Sequence, residues 1–183
     1  MSQGPILETE RLILRPTTIE DLDGMEEFCA DPETMRFVGG EAKTRAEAFR
    51  ILCGFAGAWT LTGISMFSVI EKQSGRWIGR VGPWRPEGWP GNEVGWGIVR
   101  SAEGQGYATE AAAASMDYAV DQLGWERIIH VIVKENLPSI ALAKRLGSTL
   151  LGPTKLPAPF ADLEIDAWGQ TADQWRVNRQ KFA

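Results

Sequence analysis

The spacing of apolar side chains changes along the chain, and each change predicts a different element. Arg11-Leu-Ile-Leu-Arg15 reads as a brief strand stopped by Pro16. Thr17, Thr18, Glu20 and Asp21 then supply the polar and acidic residues of a helix start, predicting a first helix over Ile19–Ala30. Ala46, Phe49, Ile51, Leu52, Phe55 and Trp59 form a broad apolar stripe at helical spacing, so a second helix runs from about Thr44 to Trp59 and ends at Thr62-Gly63. Ile64–Glu71 and Arg76–Trp84 are runs of apolar, β-branched and aromatic residues. The intervening Lys72-Gln-Ser-Gly75 makes them a hairpin, and Asn92–Val99 extends it to a meander. From Gly104 the period becomes helical again, with Ala108, Ala111, Ala112, Ser115 and Ala119 placing small side chains on one face that can lie close to a sheet. Leu123-Gly124 closes that helix. Arg127–Lys134 is a strand dense in Ile and Val, and Ser139–Leu146 is a helix closed by Gly147. A short strand near Ser148–Leu151, a Pro-rich loop, a strand over about Leu163–Trp168 and a polar helical end follow. This order predicts an α+β fold, a mixed, twisted central sheet of about six or seven strands flanked by about four helices, with one crossover among antiparallel neighbours.

Composition narrows the classes of function. With 183 residues, 44% apolar and 23% charged, the chain has the profile of one globular domain whose core needs neither disulfides nor metal. Nineteen Lys and Arg against 24 Asp and Glu give a net charge of −5, which argues against a nucleic-acid partner held by phosphate neutralisation. Cys29, Cys53 and the single His130 cannot furnish a Cys/His zinc site or a disulfide framework, and this cysteine usage reads as a reducing compartment. The first ten residues lack the charged and apolar regions of a signal peptide, and no run reaches the ~18 apolar residues of a membrane span. The expectation is a cytoplasmic protein with no membrane partner.

Chemistry concentrates in Val99-Arg-Ser-Ala-Glu-Gly-Gln-Gly-Tyr-Ala-Thr-Glu110, where a strand end runs through a Gly-containing turn into the small-faced helix. Free amides at a helix N-terminus, with glycines that let a ligand approach, suit a phosphate or pyrophosphate. The stretch is neither GxGxxG nor a P-loop, and alone it fits a plain turn into a helix equally well. Glu103-Gly-Gln-Gly106-Tyr-Ala108 resembles the acyl-CoA-binding motif of the GCN5-related N-acetyltransferases (GNAT), Gln/Arg-x-x-Gly-x-Gly/Ala, and continues as Thr109-Glu-Ala111 in the manner of the RimJ/RimL-like branch. Glu10-Arg-Leu-Ile-Leu-Arg-Pro16 with Glu20-Asp-Leu resembles the opening strand and helix of that branch, Glu93-Val-Gly-Trp96 its fourth strand, and Glu135-Asn-Leu-Pro-Ser139 with Leu146-Gly147 the motif after its fifth. These segments fall in the family's order from about residue 8 to 168.

The resemblance implies an acyl-CoA N-acyltransferase fold with splayed fourth and fifth strands. It implies transfer of an acetyl group from acetyl-CoA to a primary amine, on a small molecule or a protein N-terminus, by direct attack without metal. A homodimer is expected on the same ground. Pantetheine would bond to backbone around Ile98 and Val99 and to Asn136, and pyrophosphate would rest on the amides of Gly104, Gln105, Gly106, Tyr107, Ala108 and Thr109. Three positions depart from the family. Glu103 stands at the Gln/Arg position and is expected to point into solvent; Ala143 stands where a tyrosine commonly serves as acid; Ser148 replaces the Phe of Leu-Gly-Phe. Ser139 becomes the candidate acid, and also suits the first turn of its helix. Glu93, on the strand that would flank the acetyl group, is the candidate base, and also fits a solvated carboxylate at a strand start. Asn136 fits an N-cap as well as a ligand. His130, without a nucleophile near it in sequence, reads as a hydrogen-bonded interior histidine. Trp84, Trp89 and Trp96 either wall an acceptor pocket or anchor the turn-rich loop between them. Asp162, Glu164 and Asp166 alternate with apolar residues, as on an acceptor-facing strand or a solvated edge. The competing readings are an acyl-CoA-binding or sensing module without catalysis, a transferase for another acyl-CoA, and an interaction scaffold without coenzyme.

Overall fold

A computed structural model describes residues 4–182. Its centre is one eight-stranded sheet: β1 (Leu7–Glu8), β2 (Leu12–Arg15), β3 (Phe67–Glu71), β4 (Trp77–Trp84), β5 (Glu93–Ile98), β6 (Arg127–Val133), β7 (Thr149–Thr154) and β8 (Ile165–Thr171), in spatial order β1-β2-β3-β4-β5-β6-β8-β7. Neighbours are antiparallel except β5 and β6, which are parallel. Six α-helices accompany the sheet: α1 (Leu22–Ala30), α2 (Pro32–Val38), α3 (Arg45–Thr62), α4 (Tyr107–Asp121), α5 (Leu137–Arg145) and α6 (Ala172–Asn178).

Local chemistry explains most boundaries. Thr44 and Glu47 form a reciprocal capping box that starts α3, and Gly63 ends it at φ +70° in the left-handed region that glycine occupies without steric cost. The small face of α4 is buried, with Ala111, Ala112, Ser115, Met116 and Ala119 inaccessible to solvent. Arg80 faces Phe28 of α1 and Phe55 of α3, whereas Phe67, strand partner of the adjacent Val81, meets Tyr118 of α4. Successive strand residues point to opposite faces, so α1 and α3 cover one side of the sheet and α4 the other.

The structure adds one strand, β1, and one helix, α2, to the elements expected from the sequence, and the polar helical end is α6. β1 is only two residues long, too short to leave a pattern. α2 spans seven residues and rests on local devices, the Asp31 side chain accepting from the amides of Glu33 and Thr34 with Pro32 in the first turn, rather than on an apolar stripe. The last expected strand also shifts. β8 begins at Ile165 and lies inside the sheet, because β7 pairs along its outer edge. Asp162 and Glu164 therefore lie outside the strand, and the acidic alternation is not a solvated sheet edge. β7 is the edge, which is where Pro153, lacking a backbone donor, is tolerated.

Candidate active site

β5 and β6 meet at one point and then separate. Their register holds only Glu93 opposite Ile129, where the Ile129 amide donates to Asn92 O at 2.9 Å. Past it, side chains span the gap: the Val131 amide donates to Glu93 Oε1 at 3.1 Å, and His130 Nδ1 donates to Val94 O at 2.7 Å. The Val99 amide bonds to Ile78 O of β4. Alternate residues of a strand turn their peptide groups to opposite edges, so Trp96 and Ile98 present theirs to the gap, and Val99 does not. Of the two expected backbone positions, Ile98 faces the notch and the Val99 amide is committed to the sheet.

At the C-terminal end of β5 the chain passes through a short 3-10 turn, Arg100–Ala102, into Gly104 (φ +75°) and Gly106 (φ +84°), and α4 starts at Tyr107. Among the described residues, no intramolecular acceptor faces the amides from Gly104 to Thr109. They are the orphan donors of a helix N-terminus, aimed into a cleft of about 660 Å³. Ala108 lines it, Thr109 Oγ1 accepts from Arg145 Nη1 at 3.2 Å, and the exposed Arg145 brings a cation to the same cleft. Of the expected amide-bearing residues Gln105 alone does not line the cleft, and its carbonyl accepts from Arg11 Nη1 at 2.9 Å. Tyr107 offers only its amide, because its ring lies under the Arg11 guanidinium and its hydroxyl donates to Glu71. Glu103, expected to point into solvent, is exposed but also borders this cleft beside Gly104.

A second cleft, about 740 Å³, opens on the α1/α3 side and joins the first at Phe28, Trp96, Asn136 and Ser139. Glu93 sits in it, 7% exposed, with the Trp89 indole donating to Oε2 at 2.6 Å. Burial pushes its pKa up from 4.5 to about 7, against the opposing pull of the Val131 amide, the Trp89 indole and the Arg80 charge. The solvated alternative for Glu93 is thereby removed. Trp84, Trp89 and Trp96 all line this cleft, and Trp96 donates to Ser139 Oγ at 3.2 Å. That bond occupies a lone pair of Ser139 and leaves its O–H free to donate. Asn136 caps α5 by accepting from the Ser139 amide at 3.2 Å, while its side chain borders both clefts. Asp162, Glu164 and Asp166 do not line the cleft, and Glu164 is paired with Lys134 at 3.6 Å.

Residues 11–149 match the family described as an acetyltransferase (GNAT) domain. The chain belongs to the GNAT acetyltransferase family. It is 32% identical over 142 residues to the N-acetyltransferase p20 of Bacillus licheniformis, covering 76% of this chain and 80% of p20. The acetyltransferase from Agrobacterium tumefaciens superposes with a TM-score of 0.79 at 31% identity, covering 91% of this chain and 94% of that one. The RimL ribosomal L7/L12 alpha-N-protein acetyltransferase in complex with coenzyme A shares the fold, with a TM-score of 0.76 at 16% identity over 93% of this chain and 99% of that one. Membership explains the splayed strands and the unpaired amides, and the departures acquire structural reasons. Ala143 is fully buried against Ile132 and Trp168, so the aromatic bulk in that region comes from β8. Ser148, in place of the family Phe, accepts from Gln170 at 3.0 Å and bonds His130 Nε2 at 3.0 Å. His130 is 1% exposed and burial lowers its pKa to about 4, so it stays neutral and structural. Two cations absent from the sequence expectation lie at the site: Arg145, in the last turn of α5, and Arg80, a lone charge inside an apolar strand, which is itself a signal.

Proposed function

We propose that this GNAT protein transfers an acetyl group from acetyl-CoA to a primary amine, with the α-amine of a peptide or small molecule as the favoured acceptor. The observation that carries the reading is the buried Glu93 carboxylate with a pKa near 7, set where β5 and β6 part and lining the cleft that joins the coenzyme cleft at Trp96, Asn136 and Ser139. The residues present suit coenzyme A: unpaired amides from Gly104 to Thr109 with Arg145 beside them for pyrophosphate, and the Trp96 and Ile98 peptide groups with Asn136 for the pantetheine arm. When bound, it supplies an acetyl group already activated as a thioester.

The protein's tasks are then positioning and proton handling. Glu93 takes the proton of the incoming ammonium. Moving it from an α-amine (pKa near 8) to a carboxylate near 7 is uphill by about 1.4 kcal/mol, against about 4.6 kcal/mol from a lysine near 10.4. That difference favours α-amines. An ordinary carboxylate near 4.5 would face about 4.8 kcal/mol even with an α-amine, so burial is what makes Glu93 a competent base. The Trp96 amide is a fixed donor for the developing oxyanion, and the Ser139 O–H donates a hydrogen bond to the departing thiolate as the candidate acid, the thiol ending with the proton that the attached amine releases as the amide forms. Two free thiols, Cys29 buried and Cys53 exposed, fit a reducing cytoplasm.

Calorimetric titration with acetyl-CoA, with CoA and dephospho-CoA as comparisons, followed by a thiol-release screen of amines, tests the proposal. Micromolar binding with turnover of an α-amine is the expected result. Binding without turnover would favour an acyl-CoA sensor, the reading that Ala143 in place of the family tyrosine motivates, and competition by longer acyl chains would reveal a different donor.

A further inference from the structure

Arg80 lies in the acceptor cleft without an anionic partner. It projects from the middle of β4, half-buried, and lines the same cleft as Glu93. Of its five donors, one has an acceptor within the protein, the thioether of Met66 at 2.9 Å. The rings of Phe28 and Phe55 flank the guanidinium, with centroids 5.5 and 5.4 Å from its central carbon. Among the described residues, no carboxylate forms an ion pair with it; the charged or ionisable groups near enough to perturb it are Cys29 and Glu93. A guanidinium held among aromatics with its hydrogen bonds unmade is costly unless a ligand completes it.

Register places that ligand. Arg80 pairs with Gly97 and Trp84 with Glu93, so Arg80 and Glu93 point to the same face, separated by about 13 Å along the strands at ~3.3 Å per residue. The strand positions from Arg80 to Glu93 on that face are Gly82, Gly95 and Gly97, which carry no side chain, and Met66 and Phe28 pack against Gly95 and Gly97 to form the floor. Glu93 is held by the Val131 amide and the Trp89 indole, and its head is still near enough to the guanidinium for each charge to act on the other, so the gap between them is shorter than the strand spacing and within the span of a small substrate. Lys43 and Glu87 also line the cleft, so with Arg80 and Glu93 its wall carries two cations and two carboxylates, a lining that suits an acceptor bearing both an amine and a carboxylate.

We propose that Arg80 is a specificity-determining residue that binds a carboxylate of the acceptor, so that the substrate is a primary amine carrying a carboxylate a few bonds away. This rests on the transferase reading for where the amine goes, and on Arg80 alone for the carboxylate. The same chemistry can come from a free amino acid or from an acidic side chain near a peptide N-terminus.

The test compares kcat/KM for glycine, β-alanine and γ-aminobutyrate with their carboxamides, and for short peptides bearing Asp or Glu at the second or third position with their Asn or Gln counterparts. Wild type should prefer the carboxylate roughly 10- to 100-fold in at least one arm, the scale of a charge-assisted bidentate contact. The arm that shows the preference identifies the source. Arg80→Met, which keeps the volume and removes a charge with no carboxylate partner, should bring that ratio toward one, and Arg80→Lys should leave an intermediate ratio. Comparing ratios between variants cancels the different basicities of the paired amines, and acetyl-CoA titration of each variant reports an intact fold. Equal use of carboxylate and carboxamide by wild type, or a preference that survives Arg80→Met, overturns the proposal. If wild type acetylates no amine, the transferase reading fails separately, and calorimetry of the same pairs in the presence of CoA still decides whether Arg80 holds a carboxylate.

Discussion

Replacing Glu93 by Gln separates its roles as base and as buried acid. In the folded protein its pKa is about 7, against 4.5 when solvated. Between these values the native state holds a proton that the unfolded chain has released, so stability falls as pH rises from about 4.5 through 7. The full loss is roughly 3 kcal/mol, 2.5 units at 1.36 kcal/mol each. His130 works in the opposite direction. Its pKa of about 4 means the unfolded chain binds the extra proton below 6.5, so its contribution is present above 6.5 and lost as pH falls toward 4. The two slopes cancel between about 4.5 and 6.5, and wild type should lose stability mainly above that window. Glutamine cannot ionise, so it removes the alkaline loss. It has one carbonyl oxygen for two donors, the Val131 amide and the Trp89 indole, and leaving one unmatched costs about 1–3 kcal/mol. Glu93→Gln should therefore be less stable than wild type at pH 5 and equal or more stable at pH 8. Because His130 gains stability over the same range, wild type itself shifts by only about 1–3 °C between pH 5 and pH 8, whereas the difference in melting temperature between wild type and variant should change by roughly 5–11 °C, the ~2.7 kcal/mol that Glu93 alone contributes over that interval. In a steady-state assay with an α-amine, wild-type kcat/KM should rise about tenfold per pH unit below 7 and then level, and the variant should lose that limb and turn over roughly 100-fold slower or worse. Parallel melting curves for the two proteins, or an unchanged pH–rate limb, would refute the assignment.

Other substitutions probe the remaining parts. Gly106→Val puts a β-branched residue at φ +84°, where the new Cβ meets only Arg11 Nη2 at 3.4 Å. Backbone strain of about 1–2 kcal/mol rather than a clash should turn the amides away and raise the acetyl-CoA Kd at least tenfold by calorimetry. Ser139→Ala removes the hydroxyl that accepts from Trp96. A drop in kcat of tenfold or more at constant coenzyme affinity is expected, and an unchanged kcat would mean that the thiolate leaves without help from the protein. Trp175→Ala empties a fully buried site and removes the indole that donates to Asp117 at 3.0 Å, leaving Asp117 to Arg179; denaturant unfolding should show a loss of about 3–5 kcal/mol, and a loss below 1 would contradict the packing.

Local pattern accounts for the elements that carry their own signals. The capped stripe of α3, the small face of α4 behind Gly104 and Gly106, and the meander β3–β5 needed only spacing and turn residues. The two-residue β1, the short α2 and the interior place of β8 did not show, because pairing with distant segments or a brief cap sets them, not periodicity. The coenzyme-facing loop was legible in the sequence for a related reason: free amides after a glycine turn are a property of one contiguous stretch. The acceptor side was not. Glu93 could be named, but its near-neutral pKa arises from burial among Trp89, Val131 and Arg80, which come from three separate segments. The same holds for Ser139 under Trp96, His130 bonded to Ser148, and Arg80 facing the cleft without an ion pair. Sequence alone determined what is local in the backbone, the order of elements and the anion-ready turn. Tertiary structure decided protonation, orientation and pairing, because these depend on how much water and which charges surround a side chain, and only packing of distant segments sets them.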